Sequence, residues 1–427
     1  MTRLRTLEDL DVTGERVLLR VDLNVPLRDE PDGTRLLADD TRIRAALPTI
    51  EELRGRGAKL ILVSHLGRPR GREARFSLRP VAARLSQLTG APVTLAPAVV
   101  GPDVEPLARA LAPGEMLMLE NVRFEAGETA NDPQLSAELA ALADRYVDDA
   151  FGAAHRAHAS TEGVAHLLPC AAGRLMQREI ESLEALLHSP PRPLVAVLGG
   201  AKVAEKIGVV EHFLQQADSV LIGGAMSLPF LAAQGHQLGA STVSEHDLAP
   251  TQRVLETVVG ARGALELPED LVIARECKTD AERRTLADLD VPDGWMVLDI
   301  GPRTAARFAS AISEAGSVFW NGPMGVFELE AFAHGTRTVA EALAAAPGVT
   351  VAGGGETVQA LCDYGLERRI SHVSTGGGAT LELLQGRSLP GVLALQESER
   401  REPADPRGSV DQLSVSVPVP TSPRSSA

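Results

Sequence analysis

The 427-residue sequence predicts an α/β protein of two doubly wound, parallel-sheet (Rossmann-like) domains joined by a connecting helix and hinge. Three observations carry that prediction. Short β-branched or aliphatic runs alternate with longer amphipathic stretches almost throughout, as in parallel sheets covered on both faces by helices. The chain exceeds what one core usually organises, and its 44% hydrophobic composition supplies material for two. A proline-rich break, Ser189-Pro190-Pro191-Arg192-Pro193, divides the alternation into two series.

Arg16 to Val21, Lys59 to Val63, Met116 to Leu119 and Arg145 to Asp148 read as the strands of the first series. The second comprises Leu194 to Leu198, Ser219 to Ile222, Leu271 to Ala274, Val297 to Ile300, Val318 to Trp320, Thr350 to Ala352 and His372 to Ser374. Between them, Arg174 to His188 places Leu175, Ile180, Leu183, Leu186 and Leu187 at helical spacing, and the proline-rich segment stops this connecting helix. The expected divisions are a first domain over 1–173, a helix and hinge over 174–193, and a second domain over 194–388. Residues 389–396 are expected to return to the first domain, and 397–427, rich in Arg, Pro, Ser, Asp and Glu, to form a disordered tail.

A net charge of −15 argues against nucleic acid or an anionic membrane as partner. No run of about eighteen apolar residues occurs and the start is charged and mixed, so a soluble, cytoplasmic protein is expected. Cys170, Cys277 and Cys362 are isolated, without metal-ligand spacing, and are expected to be buried as small hydrophobes.

Ligands of doubly wound sheets sit beyond the carboxyl ends of strands. In the first half those ends are basic: Arg20, Arg68, Arg123 and Arg156 follow strands, Arg42 opens the first helical stretch, and His65, His155 and His158 lie among them. Five arginines so placed read as a pocket for a multiply charged anion, unless each pairs with a surface carboxylate. In the second half the ends are glycine-rich: Gly199-Gly200, Gly223-Gly224, Gly301-Pro302, Asn321-Gly322-Pro323, Gly353-Gly354-Gly355 and Gly376-Gly377-Gly378. Glycine there lets backbone N–H groups approach phosphate oxygens at helix starts. Only four of the 42 basic residues are lysine, and two of those, Lys202 and Lys206, lie beside the first glycine turn. Neither a P-loop nor a dinucleotide fingerprint occurs, which disfavours a P-loop NTPase and a dehydrogenase.

Taken together the segments resemble phosphoglycerate kinase over about residues 4 to 395, through RVDLNVPL (20–27), SHLGRP (64–69), ENVRF (120–124), DAFGAAHRAHAS (149–160), LGGAKV (198–203), DIGP (299–302), WNGPMGVFE (320–328) and STGGGATLE (374–382). The resemblance implies reversible phosphoryl transfer from 1,3-bisphosphoglycerate to ADP, giving 3-phosphoglycerate and ATP, with Mg²⁺ as cofactor in a monomer. It implies that Asp22, Leu23, Asn24, Arg42, His65, Leu66, Gly67, Arg68, Arg123 and Arg156 hold the acid, with Arg20 and His155 nearby. Arg42, Lys202, Gly376 and Gly377 would act on the transferring group. Lys206, Asn321, Glu328, Gly354, Gly355, Glu356 and Thr357 would serve Mg-ATP or Mg-ADP, with Glu356 at the metal. The sequence departs from the family pattern at Val297, where Gly is usual, at Ser227-Leu228-Pro229, at Arg174 for Pro, and at Glu356 for Asp. Another phosphoryl or nucleotidyl transfer on the same scaffold, and a non-catalytic binding module, are the rival readings.

Overall fold

A computed structural model describes residues 3–29, 35–201 and 203–397. Lys202, and the expected tail apart from Glu397, lie outside the described residues. The first half contributes β1 (Arg16–Arg20), β2 (Leu27–Asp29), β3 (Arg35–Leu37), β4 (Lys59–Val63), β5 (Val93–Leu95), β6 (Met116–Met118), β7 (Arg145–Asp148) and β8 (Cys170–Ala172). β2 and β3 pair as an antiparallel hairpin. The other six form one parallel sheet in the order β5-β6-β4-β1-β7-β8. Helices α1 (Thr41–Gly55), α2 (Arg79–Thr89), α3 (Glu105–Ala110) and α4 (Pro133–Ala141) connect these strands, and covered on both faces the central strands bury nearly every side chain. Their sequences therefore run apolar without alternation.

α5 (Arg174–His188) is the connecting helix. Its buried face holds Met176, Glu179, Ile180, Leu183 and Leu186, and its apolar members share one core with residues of both sheets, including Cys170 and Leu194. Beyond it come β9 (Leu194–Leu198), β10 (Ser219–Ile222), β11 (Ala264–Glu266), β12 (Leu271–Ala274), β13 (Arg283–Leu286), β14 (Met296–Ile300), β15 (Ser317–Asn321), β16 (Val349–Gly353) and β17 (His372–Ser374). The second parallel sheet has the order β11-β10-β9-β15-β16-β17. Its connections carry α6 (Val203–Gln216), α7 (Leu228–Ala233), α8 (Glu245–Thr257), α9 (Pro302–Ser313), α10 (His334–Ala345), α11 (Gly355–Asp363) and α12 (Gly378–Leu384). α13 (Pro390–Glu397) then packs against β8 and the turn at 159–163, with Gly391 N donating to Ala154 O at 3.0 Å.

Two expectations are corrected. β12 and β14, read as members of the parallel series, instead pair antiparallel in a separate sheet ordered β13-β12-β14. A four-residue apolar run reads alike in either arrangement, and pairing depends on a partner strand distant in sequence. Of the cysteines only Cys170 is buried; Cys277 and Cys362 are exposed.

Candidate active site

In each sheet the central strand order reverses, between β1 and β7 in the first and between β9 and β15 in the second. Ligand crevices form at such reversals. Glycine makes both crevices close-walled: a Cβ on Gly152, after β7, would lie 2.6 Å from Asp22 Oδ2, and one on Gly322, after β15, 2.6 Å from Lys206 Nζ. The two crevices also meet. The same position on Gly152 would stand 3.7 Å from Thr375 O, and Gly376 lies against the Phe151 ring, so the loop carrying Gly376 and Gly377 abuts the first lobe.

In the first crevice Arg42, the second residue of α1, donates from Nη1 to Asp22 Oδ2 at 2.5 Å. Asp22 Oδ1 accepts from Asn24 N at 3.1 Å, and Asn24 Oδ1 accepts from Gly67 N at 2.8 Å. Arg123 donates Nη1 to Gly67 O at 2.5 Å. Arg68, Arg123 and Arg156 have no carboxylate partner among the described residues, and Arg156 donates only to His155 Nε2, at 3.0 Å. Burial and repulsion by Arg156, Arg20 and Arg68, opposed by Glu128, push the Arg123 guanidinium down to about 10. Three guanidiniums without counter-ions in a chain of net charge −15 mark an anion pocket.

Three of the sequence-read residues turn their side chains away from that pocket. Arg20 is 1% exposed, and each of its three nitrogens has a partner, in Ser160 Oγ, Val21 O and His65 Nδ1. The Leu23 and Leu66 side chains lie in the core, and their N–H groups go to Ser64 Oγ and Asn121 Oδ1.

The second crevice opens into a cleft whose walls include apolar Leu271, Val297, Leu298, Met324 and Val326, and polar Glu328 and Glu356. Lys206, in the first turn of α6, is buried and donates Nζ to Gly199 O at 2.6 Å. Gly354 and Gly355 begin α11, so Glu356 stands in its first turn beside the cleft. Asn321 and Thr357 behave differently from the cleft-facing groups. Asn321 Nδ2 donates to Gly353 O at 2.7 Å and Thr357 Oγ1 accepts from Gly322 N at 2.6 Å, so both buried side chains brace the turns from behind.

Sequence reasoning missed Glu179. On the buried face of α5 it accepts from His372 Nε2 at 2.8 Å, from Thr375 N at 2.7 Å and from Thr375 Oγ1 at 2.9 Å, tying the connecting helix to the loop before Gly376. The available signal was a carboxylate inside the apolar stripe of Met176, Ile180 and Leu183. It also missed the paired carboxyls at the end of β7. Burial raises Asp148 to about 6 and Asp149 to about 7, and each leaves Oδ2 without a hydrogen bond. Asp149 Oδ1 accepts from Leu175 N at 2.8 Å at the start of α5. A carboxyl whose folded pKa is raised above its unfolded value subtracts stability as pH climbs from about 4 to about 7, and the loss is complete above that. Asp149→Asn keeps the Oδ1 acceptor and removes the charge. Its melting temperature should match the parent only at or below about pH 4 and exceed it at pH 8; equal temperatures at pH 8 would show that Asp149 ionises without cost.

A two-lobed α/β transferase is the class that this fold and site define: an anion pocket on one sheet, a glycine-walled cleft on the other, and a glycine loop between them. The family model for phosphoglycerate kinase matches residues 7–387. Similar curated relatives include the phosphoglycerate kinases of Moorella thermoacetica, 53% identical over 92% of this chain and 99% of that protein, and Herpetosiphon aurantiacus, 50% identical over the same shares. Among solved structures, phosphoglycerate kinase from Coxiella burnetii matches with a TM-score of 0.84 at 38% identity, covering 92% of this chain and 99% of that one. The Pyrococcus horikoshii enzyme matches with a TM-score of 0.78 at 34% identity, covering 93% and 100%. The chain belongs to the phosphoglycerate kinase family. Its reaction is the reversible passage of the acyl phosphate of 1,3-bisphosphoglycerate to ADP in glycolysis. No helix among the described residues is long and apolar enough to cross a membrane.

Proposed function

We propose that the first lobe, residues 1–173, binds 3-phosphoglycerate or 1,3-bisphosphoglycerate and the second, 194–388, binds Mg-ADP or Mg-ATP, with 174–193 as the hinge of a cytoplasmic monomer. The observation that carries this is the uncompensated trio Arg68, Arg123 and Arg156, together with Asp22, Asn24, His65 and the Gly67 turn. Leu23 and Leu66 contribute through the backbone shape of the same loops. Arg42, paired to Asp22 beside the Gly376–Gly377 loop, faces the transferring group from the first lobe. Lys202 is assigned the matching place in the second lobe by resemblance. Lys206, Gly354 and Gly355 receive nucleotide phosphates, Glu328 the nucleoside, and Asn321 and Thr357 keep those turns in register.

The acceptor of the reverse reaction is a carboxylate, ionised at neutral pH, so no general base is required. Catalysis rests on positioning and on neutralising charge spread over the transferring oxygens. A coupled assay with 3-phosphoglycerate and Mg-ATP, run on the parent and on each trio variant, tests the assignment: KM for the acid should rise while KM for ATP stays constant. A rise in the ATP value instead would assign the trio to the nucleotide.

Among the described residues no group of three or more His, Cys, Asp or Glu side chains could hold a metal. Glu356 nevertheless fits Mg²⁺, which is commonly bound by one or two carboxylates plus substrate phosphates and water. When bound, the ion supplies charge neutralisation at the phosphates. Glu356→Gln should raise the Mg²⁺ needed for half-maximal activity and weaken Mg-ADP binding measured by calorimetry, whereas Glu356→Asp should be mild. If the carboxylate serves only the positive end of α11, the Gln variant will lose a little stability with its metal requirement unchanged.

A further inference from the structure

Behind the arginines of the first crevice lies a run of buried side chains. Glu128 and Ser160 are wholly buried and Arg20 is 1% exposed. Glu128 Oε2 accepts from Ser160 N at 2.9 Å, and its Oε1 accepts from Ser160 Oγ at 2.7 Å. The single hydroxyl proton of Ser160 is thereby committed to Glu128, so Ser160 Oγ meets Arg20 Nε, 2.9 Å away, as an acceptor. Arg20 Nη2 stands 3.1 Å from His65 Nδ1. Guanidinium can only donate, so a proton on Nδ1 would set two donors face to face in a buried place. Nδ1 must carry the lone pair.

We propose that Glu128, Ser160 and Arg20 are positioning residues that hold His65 as its Nε2–H tautomer and present that N–H to the acid bound in the pocket. The proposal rests on the assignment of the acid to the first lobe. Nε2 has no partner among the described residues and is not sealed from solvent, which leaves its proton available to a ligand oxygen. The direction of the run is also electrostatically consistent. Burial, helped by Arg20, Arg123 and Arg42 and opposed by Asp22, keeps the His65 pKa well below the ordinary histidine value, so the ring is neutral. Burial opposes charge on Glu128, but His158, Arg20 and Ser160 outweigh it and its pKa is lowered. A neutral ring among guanidiniums could offer the acid either a lone pair or an N–H; the buried run selects the N–H, which an anion can use.

Long-range ¹H–¹⁵N spectra of histidine-labelled protein read the tautomer directly. The parent should have His65 protonated at Nε2 and not at Nδ1, with the Nε2–H resonance moving as 3-phosphoglycerate is added. Ser160→Ala should give a mixture of tautomers, and its KM for 3-phosphoglycerate should rise by about three- to tenfold with kcat within about twofold of the parent, as for one weakened hydrogen bond. His65→Gln, which offers a donor near the Nε2 position, should rescue that KM relative to His65→Leu. An Nδ1-protonated His65 in the parent would overturn the proposal, as would a Ser160→Ala protein with unaltered tautomer and KM. Saturable acid binding that leaves the His65 resonances unmoved also overturns it while the lobe assignment stands; no binding of 3-phosphoglycerate to the parent overturns the assignment itself.

Discussion

Arg42→Ala should lower kcat by about a hundredfold or more, about 2.7 kcal/mol of lost transition-state stabilisation for one preorganised charged donor. The guanidinium is held by Asp22 at 2.5 Å and its side chain is 36% exposed, so it is anchored yet open to a ligand. Asp22 keeps the Asn24 N–H when Arg42 is removed, and folding should therefore survive, as thermal melts would register. Arg42→Lys should recover only part of the rate, because an ammonium cannot bond Asp22 and the transferring group through one planar fork. A kcat within threefold of the parent in the alanine variant would take Arg42 off the reaction path and leave it as a structural partner of Asp22.

Arg123→Met should separate binding from stability. The loss of a charged hydrogen-bond donor to the acid is worth about 1.5–3 kcal/mol, which corresponds to a KM for 3-phosphoglycerate raised by about ten- to a hundredfold. Stability should respond in the opposite sense. Burial and the neighbouring Arg156, Arg20 and Arg68 lower the Arg123 pKa to about 10, so the folded protein holds this cation unfavourably at every pH below that value and is relieved only above it. Methionine fills similar space without the charge and forfeits the bond to Gly67 O. The melting temperature of the variant at pH 7 should be at or above that of the parent. A lower melting temperature together with a normal KM would identify Arg123 as a brace for the Gly67 turn.

Much of the architecture, and the loops that form the candidate site, were legible because both rest on local pattern. Apolar runs bounded by Gly, Asp and His report buried parallel strands and their carboxyl-end loops, whichever strands they pair with. The same logic identified the α5 helix and its proline stop. What stayed hidden depends on which way a side chain turns. Arg20 and Arg42 both belong to the basic set at the strand ends and first helix start, yet one is buried against Ser160 and the other is part-exposed and bonded to Asp22. Asn321 and Thr357 are assigned to the nucleotide by the resemblance, and only the structure shows that the close approach of the glycine turns draws their polar atoms to neighbouring backbone. Glu179 had a signal, a charge in an apolar stripe, but its partners His372 and Thr375 lie nearly two hundred residues away, at separations of 193 and 196.

The sequence by itself determined that this chain forms two helix-covered sheets, where the loops at the carboxyl ends of their strands fall, and that one set of loops is cationic and the other glycine-rich. Only the tertiary structure decided that β12 and β14 leave the parallel series, which arginines lack counter-ions, and that the Gly376 loop reaches Phe151 of the other lobe. The reason is that periodicity and turn chemistry act over a few neighbouring residues, whereas strand pairing, charge compensation and lobe contact are set by packing between segments that the chain keeps far apart.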